Sequence, residues 1–122
     1  MRAAKYKLTT AEKATAKEEM RAALIDAARK RELITYSELC LRIPGVGLYP
    51  HSFIFTQLLR EVCHEEYAKG HRQLCALVVR KATGMPGGGY FSDTAPLKRD
   101  FGDLVAEWRA DVEDVFEYWS TH

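Results

Sequence analysis

The last quarter of the chain repeats apolar residues at alternating spacings of three and four, which is the pattern of an amphipathic helix. After Pro96 these residues are Leu97, Phe101, Leu104, Trp108, Val112, Val115 and Trp119. The opposite face of this helix is acidic and suits water, whereas the apolar stripe is stable only when it is buried. We expect it to close the core of the chain. A dimer seam is the alternative, although the repeat is short and two tryptophans are bulky for a regular coiled coil.

The 122 residues leave room for one core, because domains cluster near ~100–150 residues. Apolar residues make up 47% of the chain and charged residues 29%, a composition that excludes disordered and collagen-like classes. No apolar run approaches the roughly 18 residues of a membrane span, and Met1 to Lys5 lead into no apolar signal core. We therefore expect a single domain, 1–122, with 1–8 flexible, in the cytoplasm.

Three cysteines, Cys40, Cys63 and Cys75, are an odd number in a chain with no secretion signal. This favours reduced thiols over a disulfide framework.

The net charge of +1 conceals an uneven distribution along the chain. Residues 1–33 and 71–99 each carry +4, residues 34–70 carry −1, and residues 100–122 carry −6. An acidic C-terminal segment thus masks two basic ones, and a local basic face for a polyanionic partner is compatible with the sequence.

Helix-start signals divide the first half of the chain. Thr9 and Glu12 have capping-box spacing and predict a first helix to about Leu33. A short β-type run, Ile34-Thr35-Tyr36, follows, and Ser37 is expected to cap a brief helix to Ile43, before Pro44-Gly45.

A longer helix is expected to follow a turn at 45–49. Pro50 suits the first helical position, and Gly70 suits the C-terminal cap after Lys69. Its inward face should consist of Ile54, Phe55, Leu58, Leu59 and Val62. Leu74 to Val79 is then the strongest strand in the sequence, and Tyr90-Phe91 is its candidate hairpin partner across the glycine-rich turn 82–89.

This order predicts an α+β fold, a single winged-helix domain made of a helix-turn-helix, a β-hairpin wing and an additional C-terminal helix. The middle strand at Ile34-Thr35-Tyr36 favours this fold, because winged helices place a short strand there to pair with the hairpin. A helical bundle with an incidental hairpin is the competing interpretation.

In a winged helix, the helix predicted from Pro50 is the recognition helix that enters the major groove. The wing and the segment after it supply basic residues that suit phosphate. The candidate duplex-binding residues are His51, Ser52, Thr56, Gln57, Arg60, Arg80, Lys81, Lys98 and Arg99. Glu61, Glu65 and Glu66 would repel phosphate unless they point away, and the alternative is that the basic residues only solvate the surface.

Other chemistry has weaker support. Cys63, His64, His71 and Cys75 lack zinc-ligand spacing, so we expect no metal or cofactor. The glycines at 84–89 follow a strand without opening a helix, unlike a phosphate-binding loop. No nucleophile and base share a sequence signature, so we expect no catalytic residues.

A few segments of the chain form a further pattern: Thr35–Leu39, Leu58–Val62, Gly70, the run from Leu74 to Phe91, Trp108, Val115 and Tyr118-Trp119. Over about residues 20–120 this pattern resembles a family of small, uncharacterised bacterial proteins. It implies no activity.

The layout also resembles the winged-helix DNA-binding domain of the O6-alkylguanine alkyltransferases and alkyltransferase-like proteins. The matching features are Thr35–Leu39, Cys75, Val78-Val79 and Gly89-Tyr90. That family's reactive motif is Pro-Cys-His-Arg, whereas this chain has Leu74-Cys75-Ala76-Leu77. The resemblance therefore implies topology, and without the activating histidine Cys75 is expected to remain an inert thiol.

Three hypotheses follow. The first is a non-enzymatic winged-helix protein that binds duplex DNA as a regulator or accessory factor. The second is a protein-interaction module or homodimer that uses the acidic last helix or the aromatic residues Tyr49, Phe53 and Tyr90. The third is an enzyme that uses Cys75 or a constellation of residues that the sequence does not reveal.

Overall fold

A computed structural model describes residues 8–43, 52–87 and 101–122, with side chains of the last segment described from residue 104 onward. The elements in chain order are α1 (Thr10–Arg29), β1 (Ile34–Thr35), α2 (Tyr36–Leu41), α3 (Phe53–Ala68), a 3₁₀ turn (Leu74–Leu77), β2 (Val78–Val79) and α4 (Phe101–Trp119). The described ranges are mostly helical, and β1 and β2 form one small sheet, so the chain is α+β in the broad sense.

The start of α1 confirms the predicted capping box. The Thr9 hydroxyl accepts a hydrogen bond from the N–H of Glu12 at 3.1 Å, and the Glu12 carboxylate accepts one from the N–H of Thr9 at 3.0 Å. These two bonds satisfy amides that the first turn would otherwise leave unpaired.

The end of α1 was predicted four residues too late, because the helix stops at Arg29 and not near Leu33. Arg31 has a left-handed backbone with φ of 56°, and the N–H groups of Arg31 and Glu32 donate to carbonyl oxygens of the last turn. This is a Schellman motif formed without glycine. It reverses the chain so that β1 can begin at Ile34.

The cap of α2 was assigned to the wrong hydroxyl. The N-cap is Thr35, whose side chain accepts from the N–H of Glu38 at 3.1 Å while Glu38 accepts from the N–H of Thr35. Thr35 has a glutamate three residues later, whereas Ser37 has Cys40 there, so only Thr35 can form a capping box. The helix ends at Leu41, and Pro44-Gly45 lies outside the described residues.

α3 begins at Phe53, later than the predicted start at Pro50. Ser52 has an extended backbone and its hydroxyl accepts from the N–H of Phe55 at 3.2 Å, so the helix cannot extend back through it. At the other end Gly70, with φ of 81°, confirms the predicted C-terminal cap. The turn 45–49 and Pro50 lie outside the described residues.

Leu74 to Val79 is not one strand. Its first four residues form a 3₁₀ turn, and only Val78-Val79 is extended. β1 is two residues long and pairs with β2 in parallel, Ile34 with Val78 and Thr35 with Val79. Because this partner is so short, the preceding backbone satisfies its hydrogen bonds locally by turning. The proposed hairpin partner Tyr90-Phe91 lies outside the described residues.

The buried residues form one cluster to which α4 contributes, as the apolar stripe predicts. Trp108, Val112, Val115 and Trp119 are all buried there, and Phe116 joins them. The stripe closes the core, so a dimer seam is not needed to bury it; Leu97 and the side chain of Phe101 lie outside what is described. No helix in the described ranges has the apolar length that a membrane crossing requires.

Candidate functional site

α3 presents one continuous exposed face, which we call the outer face. At about 3.6 residues per turn its members fall within an arc of about 100°. They are Phe53, Thr56, Gln57, Arg60, His64 and Tyr67, all exposed. On the opposite side Phe55, Leu58, Leu59 and Val62 are buried and Ile54 is half-buried, as the spacing predicts. None of the outer-face residues is acidic.

The three glutamates of α3 all turn toward α1. Lys17 binds Glu61 at 3.4 Å and also forms an ion pair with Glu65. Arg21 binds Glu65 at 2.9 Å and Glu66 at 3.2 Å. The sequence left open whether these acids would face a phosphate backbone. Each of the three acids is paired with a basic residue of α1, and none of them belongs to the outer face.

Glu66 is the most buried of these groups, with 1% of its surface exposed. In addition to Arg21, its carboxylate contacts Lys69 Nζ at 3.3 Å and His71 Nδ1 at 3.0 Å. Burial acts to raise the pKa of Glu66, but the hydrogen bonds from His71 and Lys69 and the nearby Arg21 outweigh it, so the pKa lies below its usual range. Glu66 is therefore a charged structural link between α1, α3 and the segment after α3.

A tight turn follows β2 and carries the two basic residues expected of the wing. The N–H of Arg80 donates to the carbonyl oxygen of Met85 at 2.8 Å, and the N–H of Gly84 donates to the carbonyl oxygen of Arg80 at 2.8 Å. Arg80 and Lys81 are exposed on this turn. We call residues 80–87 the basic turn.

The basic turn and the start of α3 meet at Tyr36. The Tyr36 ring lies edge-on to the ring of Phe55, with centroids 6.5 Å apart, and its hydroxyl accepts a hydrogen bond from the N–H of Gly87 at 3.3 Å. A Cβ at Gly87 would lie 3.3 Å from Arg80 Nε, so the guanidinium packs against this glycine. Tyr36 thus connects Arg80 to the first turn of the helix that carries the outer face.

Lys81 lies near the start of α2. The pKa of Glu38 is below its usual range, chiefly because the backbone N–H and side chain of Thr35 hydrogen-bond to it, with a smaller contribution from the charge of Lys81. The charge of Lys81 thus acts on the first turn of α2, while Arg80 packs against Gly87.

The structure describes six of the nine predicted duplex-binding residues. Thr56, Gln57 and Arg60 lie on the outer face, and Arg80 and Lys81 lie on the basic turn. Two hydroxyls are engaged, because Ser52 caps α3 and the Thr56 hydroxyl donates to the carbonyl oxygen of Ser52 at 3.1 Å. The remaining candidates, His51, Lys98 and Arg99, lie outside the described residues.

Sequence reasoning missed two members of the outer face, His64 and Tyr67, and assigned Phe53 only to contact with a protein partner. Phe53 is 81% exposed and Tyr67 is 52% exposed. The signal was available, since both aromatic residues continue the three-and-four spacing of Thr56 and Arg60 along the helix.

The expectation of reduced thiols is wrong for two of the three cysteines. Cys63 of α3 and Cys75 of the 3₁₀ turn form a disulfide, with their Cα atoms 5.8 Å apart. Gly70 reverses the chain after α3, which brings Cys75 back onto the helix. An enzyme that uses Cys75 requires this residue to be a free nucleophile. Because Cys75 is in the disulfide, it is not one. Cys40 takes no part in this disulfide, and burial raises its pKa.

Within the described ranges, no group of three or more His, Cys, Asp or Glu residues is placed to hold a metal ion. Comparisons of the chain with protein-family models, with curated proteins and with solved structures found no match in any of the three. In the described ranges, the outer face of α3 is exposed and carries no acidic residue, and Arg80 and Lys81 are exposed on the basic turn.

Proposed function

We propose that this chain is a winged-helix protein that binds duplex DNA through the outer face of α3 and the basic turn, as a regulator or accessory factor rather than an enzyme. The observation that carries the proposal is the orientation of Glu61, Glu65 and Glu66, which are paired with α1. A helix whose acids are paired with a neighbouring helix and lie off its outer face repels phosphates less than one with unpaired acids on that face.

The order of the elements supports the winged-helix assignment, although the direct parallel pairing of β1 with β2 differs from the antiparallel wing sheet of that fold. The elements α1, β1, α2, α3 and β2 follow one another in the order of that fold, and β1 pairs with the strand that leads into the basic turn. The second strand of the wing, at Tyr90-Phe91, remains a prediction.

The side chains of the outer face suit the edges of base pairs. Gln57 offers an amide that can pair with adenine, and Arg60 offers a guanidinium that can pair with guanine, while an α-helix fits the width of the major groove. Arg80 and Lys81 supply the charge that contacts with phosphates require. Recognition would then combine base contacts from α3 with backbone contacts from the turn.

The test is fluorescence anisotropy of a labelled random-sequence duplex titrated with the full chain over a salt series. We expect a Kd of about 1–100 μM at moderate salt, with affinity falling steeply as salt rises. The variant Arg80→Ala with Lys81→Ala should weaken binding and lower the salt slope by about two, roughly one per lost phosphate contact. Arg109→Ala, at an exposed position on α4, is the control and should bind like the parent. Absence of binding at low salt would retire the proposal.

A second candidate is a protein-interaction module, favoured by the exposure of Leu41 at 80% and Phe53 at 81%. Large apolar side chains this exposed are common at protein interfaces. Light scattering without nucleic acid separates the two candidates. A monomer that binds duplex supports the first, and a dimer that ignores duplex supports the second.

A further inference from the structure

We propose that Cys75 is a thiol-exchange site, at which a small-molecule thiol of the glutathione class opens the Cys63–Cys75 disulfide. The proposal does not depend on the DNA-binding function.

The two sulfurs differ in access. Cys63 lies on the inner side of α3 and is 2% exposed, within the core cluster. Cys75 packs against the same cluster but is partly exposed. Thiol–disulfide exchange requires a thiolate to reach the sulfur that it attacks. An external thiol can therefore reach Cys75, while Cys63 is screened by the core.

The exchange proceeds in two balanced steps. The thiolate attacks Cys75 Sγ, a bond forms between these two sulfurs, and the bond to Cys63 breaks. Its electron pair leaves with Cys63 Sγ, which then takes a proton from water. A second thiolate attacks the external sulfur of the mixed disulfide, the bond to Cys75 breaks, and Cys75 Sγ leaves as a thiolate that takes a proton from water. Overall, two molecules of thiol reduce the protein disulfide and become one small-molecule disulfide.

The fold can accommodate both thiols after opening. The carbonyl oxygen of Leu59 lies 3.9 Å from Cys75 Sγ, within reach of a weak S–H donor. A reduced Cys63 would stay in an apolar environment, where cysteine behaves as a small hydrophobic residue. Opening should therefore loosen the protein without unfolding it, and oxidation by the matching small-molecule disulfide should close the bond again.

The position of the bond determines what opening changes. The disulfide attaches α3 to the 3₁₀ turn, and β2 and Arg80 follow that turn directly. It is thus a covalent connection between the helix that carries the outer face and the segment that carries the basic turn. Opening it leaves these two parts joined by noncovalent packing and by the main chain.

The experiment maps the adduct. The oxidised full chain is treated briefly with reduced glutathione, quenched with acid, alkylated with N-ethylmaleimide under denaturing conditions and digested with trypsin. Cleavage after Arg31, Arg60 and Arg72 separates the three cysteines into peptides 32–42, 61–69 and 73–80. We expect glutathione on 73–80 and maleimide on 61–69. Glutathione mainly on 61–69, or no adduct on the folded chain when the denatured chain reacts, overturns the proposal.

Two further measurements complete the test. Cys40→Ala should give the same adduct map, because Cys40 is outside the disulfide and takes no part in the exchange. Full reduction should lower Tm by about 10 °C, as expected when a domain of this size loses a disulfide that closes a short loop. The helical circular dichroism signal should be retained at 25 °C. An unchanged Tm, or loss of helical signal on reduction, would contradict the inference that the fold depends on the bond and survives its opening.

Discussion

The indole Nε1 of Trp108 donates a hydrogen bond to the carbonyl oxygen of Ala76 across 2.8 Å, and both residues are buried. Trp119 makes the equivalent bond, 3.1 Å long, to the carbonyl oxygen of His71. The two tryptophans of α4 therefore hold the segment that runs from the end of α3 to β2. Through that segment, a helix at the C-terminal end of the chain positions the basic turn.

Trp108→Phe should lower the free energy of unfolding by about 1–3 kcal/mol, because it leaves the buried carbonyl of Ala76 without its donor. Trp119→Phe should have a smaller effect, since its bond is only partly buried. Urea unfolding followed by circular dichroism measures both changes. Equal losses in the two variants would mean that ring volume matters more than the hydrogen bonds.

The charged form of Glu66 should make stability depend on pH. Its pKa in the folded protein lies below the ordinary value of 4.5, so the unfolded chain takes up the proton first as pH falls. The stabilisation is complete well above pH 4.5 and is lost as pH drops through the folded pKa. Glu66→Gln should lower the free energy of unfolding at pH 7 by about 1–3 kcal/mol. Below pH 4.5, the acid limb of the curve of stability against pH should be flatter for this variant than for the parent.

The matched control for this experiment is Glu113→Gln. Glu113 has a side chain 72% exposed and forms a single 3.7 Å ion pair with Arg31, so its loss should change stability by no more than about 1 kcal/mol. Urea midpoints from pH 3 to pH 7 report both variants. A Glu66→Gln variant with the acid limb of the parent would show that other carboxylates govern acid unfolding.

Gly70 should tolerate asparagine better than alanine. Its φ of 81° is in the left-handed region, and nothing lies within 4 Å of the position of an added Cβ, so backbone strain rather than crowding sets the penalty. Gly70→Ala should lower the free energy of unfolding by about 1 kcal/mol and Gly70→Asn by less. Thermal unfolding of the pair measures the difference, and identical Tm values would argue against strain at this cap.

Phe53→Ala should separate recognition from stability. The Phe53 side chain is 81% exposed, so the free energy of unfolding should change by about 0.5 kcal/mol or less. If the outer face enters the groove, duplex affinity should fall about fivefold to tenfold, the size of one lost base contact. Leu41→Ala, which is equally exposed but on α2, is the control. Equal losses of affinity in both variants would place the contact elsewhere.

Duplex affinity should also depend on the disulfide, which combines the two proposals. Reduction removes a constraint on the relative position of α3 and the basic turn, and a less preorganised surface binds more weakly, by a factor of about three to ten. Anisotropy with and without dithiothreitol measures the ratio. Cys40→Ala should show the same ratio, and a ratio of one would separate the exchange site from DNA binding.

Local signals in the sequence predicted elements where the relevant residues are neighbours. Thr9 with Glu12, Gly70 after α3 and the apolar stripe of α4 are all short-range patterns, and each is confirmed. The end of α1 was missed because Arg31 adopts a conformation that glycine usually supplies, so composition gave no indication of it.

Features that depend on distant residues could not be predicted in the same way. The length of β2 is set by β1, more than forty positions earlier, and the disulfide depends on how far the chain reverses at Gly70. The orientation of Glu61, Glu65 and Glu66 could have been inferred in part, because all three lie off the outer face on a helical projection. That Lys17 and Arg21 are their partners could not be predicted, because it depends on how α1 and α3 pack together.

The parallel pairing of Ile34 with Val78 also bears on how the chain folds. Bringing together residues this far apart has an entropic cost before any contact compensates for it, whereas the helices require only local contacts. We therefore expect α1 and α3 to form early and β1 to pair with β2 in the last step. In that order the basic turn, which follows β2, would reach its final position only after Val79 had been synthesised and paired with Thr35.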